Sequence, residues 1–187
     1  KLSLRYRIYS ESNITAPSLA LEDASKTTIS LNGSEVPNQI VHWYADRDIQ
    51  TVALPDLIQG ENILEVVIGY HSKRNVEAMY LLGDFSVSVA GRSVVVSEAR
   101  RELAFGDTCM QGLPFYGGNI TYEIPIDTEG GELLIEITQF RCPVIKVTLD
   151  GVEKGYIALS PYQLNLGEVG KGKHVIAITA FGNRINT

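Results

Sequence analysis

Gln111-Gly-Leu-Pro-Phe-Tyr-Gly-Gly-Asn-Ile-Thr-Tyr-Glu-Ile-Pro-Ile126 begins as a glycine-, proline- and aromatic-rich bend and continues as a strand. Gly112, Gly117 and Gly118 free the backbone for positive φ or a close approach. Pro114 stiffens the bend, with Phe115 and Tyr116 beside it. From Ile120 onward, Ile120, Tyr122, Ile124 and Ile126 fall on one face, which is the period of a half-buried strand. An aromatic bend feeding such a strand suits a site at the rim of a β-sandwich. It equally suits two aromatic plugs at the end of a core.

The same alternation recurs on either side of this stretch. Leu2, Leu4, Tyr6 and Ile8 form one face of an opening strand. Further strands are expected around Leu19 to Leu21, Thr27 to Leu31, Ile49 to Leu54, Ile63 to Tyr70 and Met79 to Val89, the last interrupted at Gly83. A loop is expected at His42 to Asp48. Beyond the bend, strands are expected near 119–126, 132–140, 144–149, 162–166 and 173–181. Asn32-Gly33 and Asp150-Gly151 are tight-turn signals, because both turn residues tolerate positive φ. No long helical pattern occurs, although Ser97 to Leu103 fits a short helix as well as a strand. The class is all-β, a β-sandwich or jelly roll.

The halves repeat in order. Tyr6-Arg7-Ile8 matches Tyr122-Glu123-Ile124, and Leu19-Ala20-Leu21-Glu22 matches Leu133-Leu134-Ile135-Glu136. Ile29 to Gly33 matches Val147 to Gly151, and Gly60 to Val66 matches Gly172 to Ile178. Two tandem sandwiches are expected, residues 1–90 and 91–187, with separate or shared cores.

Composition narrows the function classes. Lys and Arg number 16 against 22 Asp and Glu, a formal charge of −6. No basic block exists, which argues against a nucleic-acid surface and against a polybasic membrane anchor. No apolar run has the length of a membrane span. The chain starts at Lys1 with neither a Met nor a signal-peptide pattern, so a processed chain or an excised piece of a larger protein is expected. Cys109 and Cys142 fit one bridge or two buried thiols. Asn13, Asn32 and Asn119 each head an N-x-S/T triplet, relevant only to a eukaryotic secretory route.

A family resemblance rests on particular residues. Val147, Leu149, Asp150, Gly151 and Gly155, then Pro161-Tyr162, then Gly172, His174, Ile176 and Ile178 resemble galactose-binding-like jelly rolls attached to glycoside hydrolases. The pattern is similar to the sugar-binding domain of β-galactosidases and β-glucuronidases. Gly83-Asp84-Phe85 and Gln111 to Gly118 resemble the C-terminal β-domains of large bacterial α-L-rhamnosidase-like proteins, with Thr108-Cys109 where those have an aromatic after Gly-Asp. The resemblance implies a non-catalytic accessory module of a secreted or periplasmic glycoside hydrolase. Its partners would be a carbohydrate ligand and the catalytic domain of the parent polypeptide.

Sugar recognition needs flat apolar surface for the pyranose C–H face and polar groups for the hydroxyls. Two stretches offer both. The first is Trp43, Tyr44 and Asp46, where Trp43 is the only tryptophan. The second is Phe115, Tyr116 and Asn119, joined by Arg141 and Tyr162. The alternative is that these aromatics pack against a neighbouring domain. Glycosidase chemistry needs paired carboxylates, and no local spacing singles out a pair; Glu22 and Glu136 are equivalent in the repeat but read as solvated. No Gly-x-Ser-x-Gly elbow exists, and no His-Glu-x-x-His or Cys-x-x-Cys motif calls for zinc. No cofactor is expected, apart from a structural calcium that Asp46 and Asp48 could hold despite the intervening Arg47. Three readings follow: a carbohydrate-binding module, a purely structural brace, or a free-standing glycan-degrading enzyme.

Overall fold

The computed structural model describes residues 1–71 and 76–182, and its described residues form an all-β protein. The chain divides into two compact units, Lys1–Pro114 and Phe115–Thr187, each with its own buried cluster. Residues 91–114, placed in the second half by the sequence reading, thus lie in unit 1. The cause is strand pairing, as the strands show.

Unit 1 contains β1 (Leu2–Ser10), β2 (Ser18–Glu22), β3 (Thr28–Leu31), β4 (Ser34–Val36), β5 (Ile40–Tyr44), β6 (Asp46–Ala53), β7 (Gly60–Ile68), β8 (Tyr80–Leu82), β9 (Phe85–Ala90) and β10 (Ser93–Glu98). One sheet has the order β4-β3-β7-β1-β10-β9, and the second has β5-β6-β2-β8. β10 pairs with β9 and also runs parallel to β1, with Tyr9 opposite Val95. Those bonds tie the segment after residue 90 to the first sheet. Leu19, Leu21, Ile29, Val52, Leu57 and Val66 fill the core.

Ser97 to Leu103, which fits a short helix or a strand by sequence, ends β10 as strand through Glu98 and then becomes irregular. Residues 104–113 fold back on unit 1. The side chain of Gln111 accepts from the Ala104 amide (2.7 Å) and donates to the Ala104 carbonyl (3.1 Å). The Val87 amide donates to the Gly112 carbonyl at 2.8 Å. Gly112 has φ +88°, and a Cβ there would stand 2.8 Å from Ser86 Cβ. Gly112→Ala is therefore expected to cost about 2 kcal/mol from left-handed backbone and overpacking together. Urea unfolding followed by Trp43 emission checks this, and a loss below roughly 0.5 kcal/mol, the usual range of surface substitutions, would show that the close approach is not there.

Unit 2 contains β11 (Ile120–Thr128), β12 (Gly131–Glu136), β13 (Ile145–Leu149), β14 (Val152–Ile157), β15 (Gln163–Val169) and β16 (Gly172–Ala180). Its larger sheet has the order β11-β16-β13-β14, and β12-β15 forms the smaller one. Read from the other side, the larger sheet repeats the unit 1 run β4-β3-β7-β1 strand for strand. In chain order the antiparallel pair β12-β15 corresponds to β2-β6.

The two units also share a turn clamp. Asn32-Gly33 and Asp150-Gly151 both have positive φ, 52° and 81° against 50° and 78°. The Asn32 side-chain oxygen accepts the Ile63 amide at 2.8 Å, and Asp150 Oδ1 accepts the Val175 amide at 2.9 Å. Asn32 Nδ2 donates to Asn62 Oδ1 at 3.0 Å. At the corresponding place His174 Nδ1 donates to Asp150 Oδ2 at 2.6 Å.

Two expectations fail locally. His42 to Asp48 is not a loop: it is the end of β5 and the start of β6, turning at Ala45 with φ 59°. This hairpin lies at a sheet edge and is largely exposed on both faces, so it lacks the one-sided alternation that marks a half-buried strand. β14 escapes notice for a related reason, because Val152 to Lys154 are exposed on both faces and the bulge at Lys154 breaks the alternation ahead of the buried Ile157.

Candidate carbohydrate site

In unit 2 four strand ends lie in register. Ile120 pairs with Ala180, Ala180 with Ile145, and Ile145 with Ile157. At about 4.8 Å per strand this row spans roughly 14 Å. Phe115 to Asn119 lead into it at one side. Residues 138–144 enter at β13, and residues 158–162 leave from β14. Phe115, Tyr116, Asn119, Arg141 and Tyr162 therefore share one end of one sheet, although sequence separates them by up to 47 positions.

At the β13–β14 side of this end is an open depression of about 380 Å³, lined by Thr138, Gln139, Phe140, Cys142, Pro143, Ala158 and Tyr162. Tyr162 packs edge-to-face on Phe140, with ring centroids 5.0 Å apart. Its carbonyl accepts the Ile137 amide at 3.0 Å. The ring is thus oriented, yet the residue remains 41% exposed. Arg141 is exposed between two lining residues. Cys142 is half-buried and donates to the Val144 carbonyl. Burial pushes its pKa above the ordinary thiol value, so the site holds a neutral thiol rather than a nucleophile.

Two other members of this group are tied into the bend that leads into β11. Tyr116 donates its hydroxyl to the Asn119 carbonyl at 3.1 Å, and the Asn119 side chain accepts the Gly182 amide at 3.0 Å. Both polar groups are already engaged in holding the bend. Phe115 presents an exposed ring beside them.

Trp43, Tyr44 and Asp46 belong to unit 1. Trp43 is 56% exposed on the edge strand β5. Tyr44 is half-buried and tilts against Tyr80, with centroids 5.2 Å apart. Asp46 Oδ1 accepts the Asp48 amide at 3.0 Å, a turn-forming bond. Among the described residues no group of three or more His, Cys, Asp or Glu is placed to hold a metal. Cys109 and Cys142 are both free thiols.

Thr138, Gln139 and Phe140 do not stand out in the sequence, where the pattern predicts a strand through 132–140. The strand stops at Glu136. No glycine or proline falls within 137–140 to mark that stop. Glu22 and Glu136 are both exposed at strand ends. His174 and Asp150 pair as the turn clamp, with His174 Nε2 on the Gly170 carbonyl at 3.0 Å. Both imidazole nitrogens are thereby engaged within the fold.

No protein-family model matches this chain, and no curated protein does. Among solved structures, a rhamnosidase from Novosphingobium sp. PP1Y is similar to it with a TM-score of 0.34 and 16% sequence identity; the match covers 97% of this chain and 19% of the rhamnosidase chain.

Proposed function

We propose that this chain is a non-catalytic accessory module, two copies of one β-sandwich plan, that binds carbohydrate for a larger secreted or periplasmic glycoside hydrolase. The observation that carries the binding role is the open depression in unit 2 walled by the oriented Phe140–Tyr162 ring pair. Tyr162 offers an apolar face to a pyranose ring, and Thr138, Gln139 and Arg141 offer donors and acceptors for its hydroxyls. The depression is shallow, so single-site affinity is weak and gains strength through tethering to the rest of the enzyme. The link to glycoside hydrolases rests on the motif resemblance around Val147 to Ile178.

The test is a titration of the chain with plant and bacterial glycans, followed by NMR shifts of the 138–143 and 158–162 amides. A saturable response in the millimolar range is expected. Tyr162→Ala should weaken it at least tenfold, the loss of one stacking ring, and Trp43→Ala should leave it unchanged. No saturable response from any glycan would remove carbohydrate binding from this reading.

A second reading has its own observation. Ile40, Val41 and Trp43 are exposed together on the β5 edge, an apolar strip suited to bracing another domain. Loss of binding in Trp43→Ala alone would move the ligand to this strip; glycan silence would leave the brace.

A further inference from the structure

The smaller sheet of unit 2 is short of a strand by the standard of unit 1. In unit 1, β2 is hydrogen-bonded on both sides, to β6 and to β8. β8 lies antiparallel to β2, with Ser18 opposite Leu82 and Ala20 opposite Tyr80. In unit 2, β12 takes the place of β2, and its sheet contains only β15 besides itself. One edge of β12 therefore has no strand beside it among the described residues.

Burial follows the same contrast. Leu19 and Leu21 of β2 are buried, and Ala20 between them is fully so. The matching Leu133 and Ile135 are only half-buried, and Leu134 between them is 55% exposed. Three apolar residues in a row on an open edge form a pairing template.

We propose that the open edge of β12 accepts an antiparallel strand, apolar like Met79 to Leu82, supplied by polypeptide on the C-terminal side of β16. The source follows from unit 1: β8 comes after β7 in the chain, and β16 holds the place of β7 in the sheet order. The alternative occupant, a second copy pairing β12 to β12, is disfavoured by charge. Glu132 and Glu136 flank the apolar triplet, so an antiparallel two-fold pairing centred on Leu134 sets glutamate opposite glutamate. A strand bound here would gain affinity from backbone bonds and specificity from alternate side chains.

The test extends the full chain after Thr187 with a flexible linker as long as the 69–79 connection, followed by the sequence of Glu77 to Asp84. Hydrogen exchange of the Leu133 to Glu136 amides is then followed by NMR. Those amides that face the open edge are expected to slow at least tenfold relative to the unextended chain. Proline at the Leu81 position of the extension should abolish the effect, because it removes a ladder donor. Equal exchange with and without the extension would overturn the proposal. So would protection already present in the unextended chain and rising with protein concentration, which would assign the edge to a second copy.

Discussion

Asn62→Leu is expected to lower the unfolding free energy of unit 1 by about 3 kcal/mol, from bonds worth roughly 1 kcal/mol each and buried groups left unpaired. Asn62 is fully buried. Its Nδ2 donates to the Ile58 carbonyl at 2.7 Å, and its Oδ1 accepts the Ile58 amide at 2.9 Å and Asn32 Nδ2 at 3.0 Å. Leucine fills similar space but satisfies none of these groups. It also releases Asn32, which holds the Asn32-Gly33 turn against the Ile63 amide. Trp43 reports on unit 1 alone, so urea unfolding read by its emission isolates the effect. A loss below about 1 kcal/mol, the net worth of a single hydrogen bond, would show that Asn62 does not close the turn.

Unit 2 replaces that neutral clamp with an ionisable one, and a pH dependence of unit 2 follows. His174 is the only histidine after residue 114. The bond to the Asp150 carboxylate, then the Gly170 carbonyl, and the negative charges of Asp150 and Asp127 raise its pKa above the ordinary 6.5, against a smaller opposing effect of burial. The bond from His174 and that from the Val175 amide lower the Asp150 pKa below 3.8, helped by Lys154. A raised pKa means that the folded state holds the proton more tightly than the unfolded chain. The His174 contribution is therefore complete below pH 6.5 and is lost as pH rises through the folded value. The Asp150 contribution is complete above pH 3.8 and is lost as pH falls through its own folded value. Unit 2 should be most stable between these limits. His174→Asn, which imports the residue unit 1 uses, should remove the alkaline decline while leaving unit 1 unaffected. Unfolding midpoints from pH 4 to 9, read from unit 2 amides, check this. An unchanged alkaline decline in His174→Asn would sink the assignment.

What the sequence discloses depends on how one-sided each strand is. β1, β7, β11 and β16 bury one face and expose the other, so their alternation is visible. The Asn-Gly and Asp-Gly turns are equally plain, because few residue pairs accept two positive φ angles. β5 is a sheet edge wet on both faces, and β14 is an edge exposed on both faces from Val152 to Lys154, and there composition imitates a loop. A boundary at residue 90 cuts the local β9–β10 hairpin, and β10 is held further by β1, more than eighty residues away, in a parallel pairing that no local pattern announces. For the candidate site, Tyr162 and Arg141 are legible as rim chemistry. Their neighbours Thr138, Gln139 and Phe140 are not, because they come together only when β13 and β14 set two connections side by side.

The pairing of β11 with β16 joins the first and last strands of unit 2 over nine residue pairs. On a ribosome, β11 emerges some fifty residues before its partner. For that interval, several seconds at about 5–20 residues per second, its apolar face is exposed to other nascent chains. The protection lies within β11 itself. Pro125 interrupts its hydrogen-bonding capacity mid-strand, and Glu123 and Asp127 place negative charge on either side. In the finished sheet β11 is an edge strand, where a proline costs little. A proline on the polar face of the alternation thus suits a strand that waits for its partner, at little cost to the finished sheet.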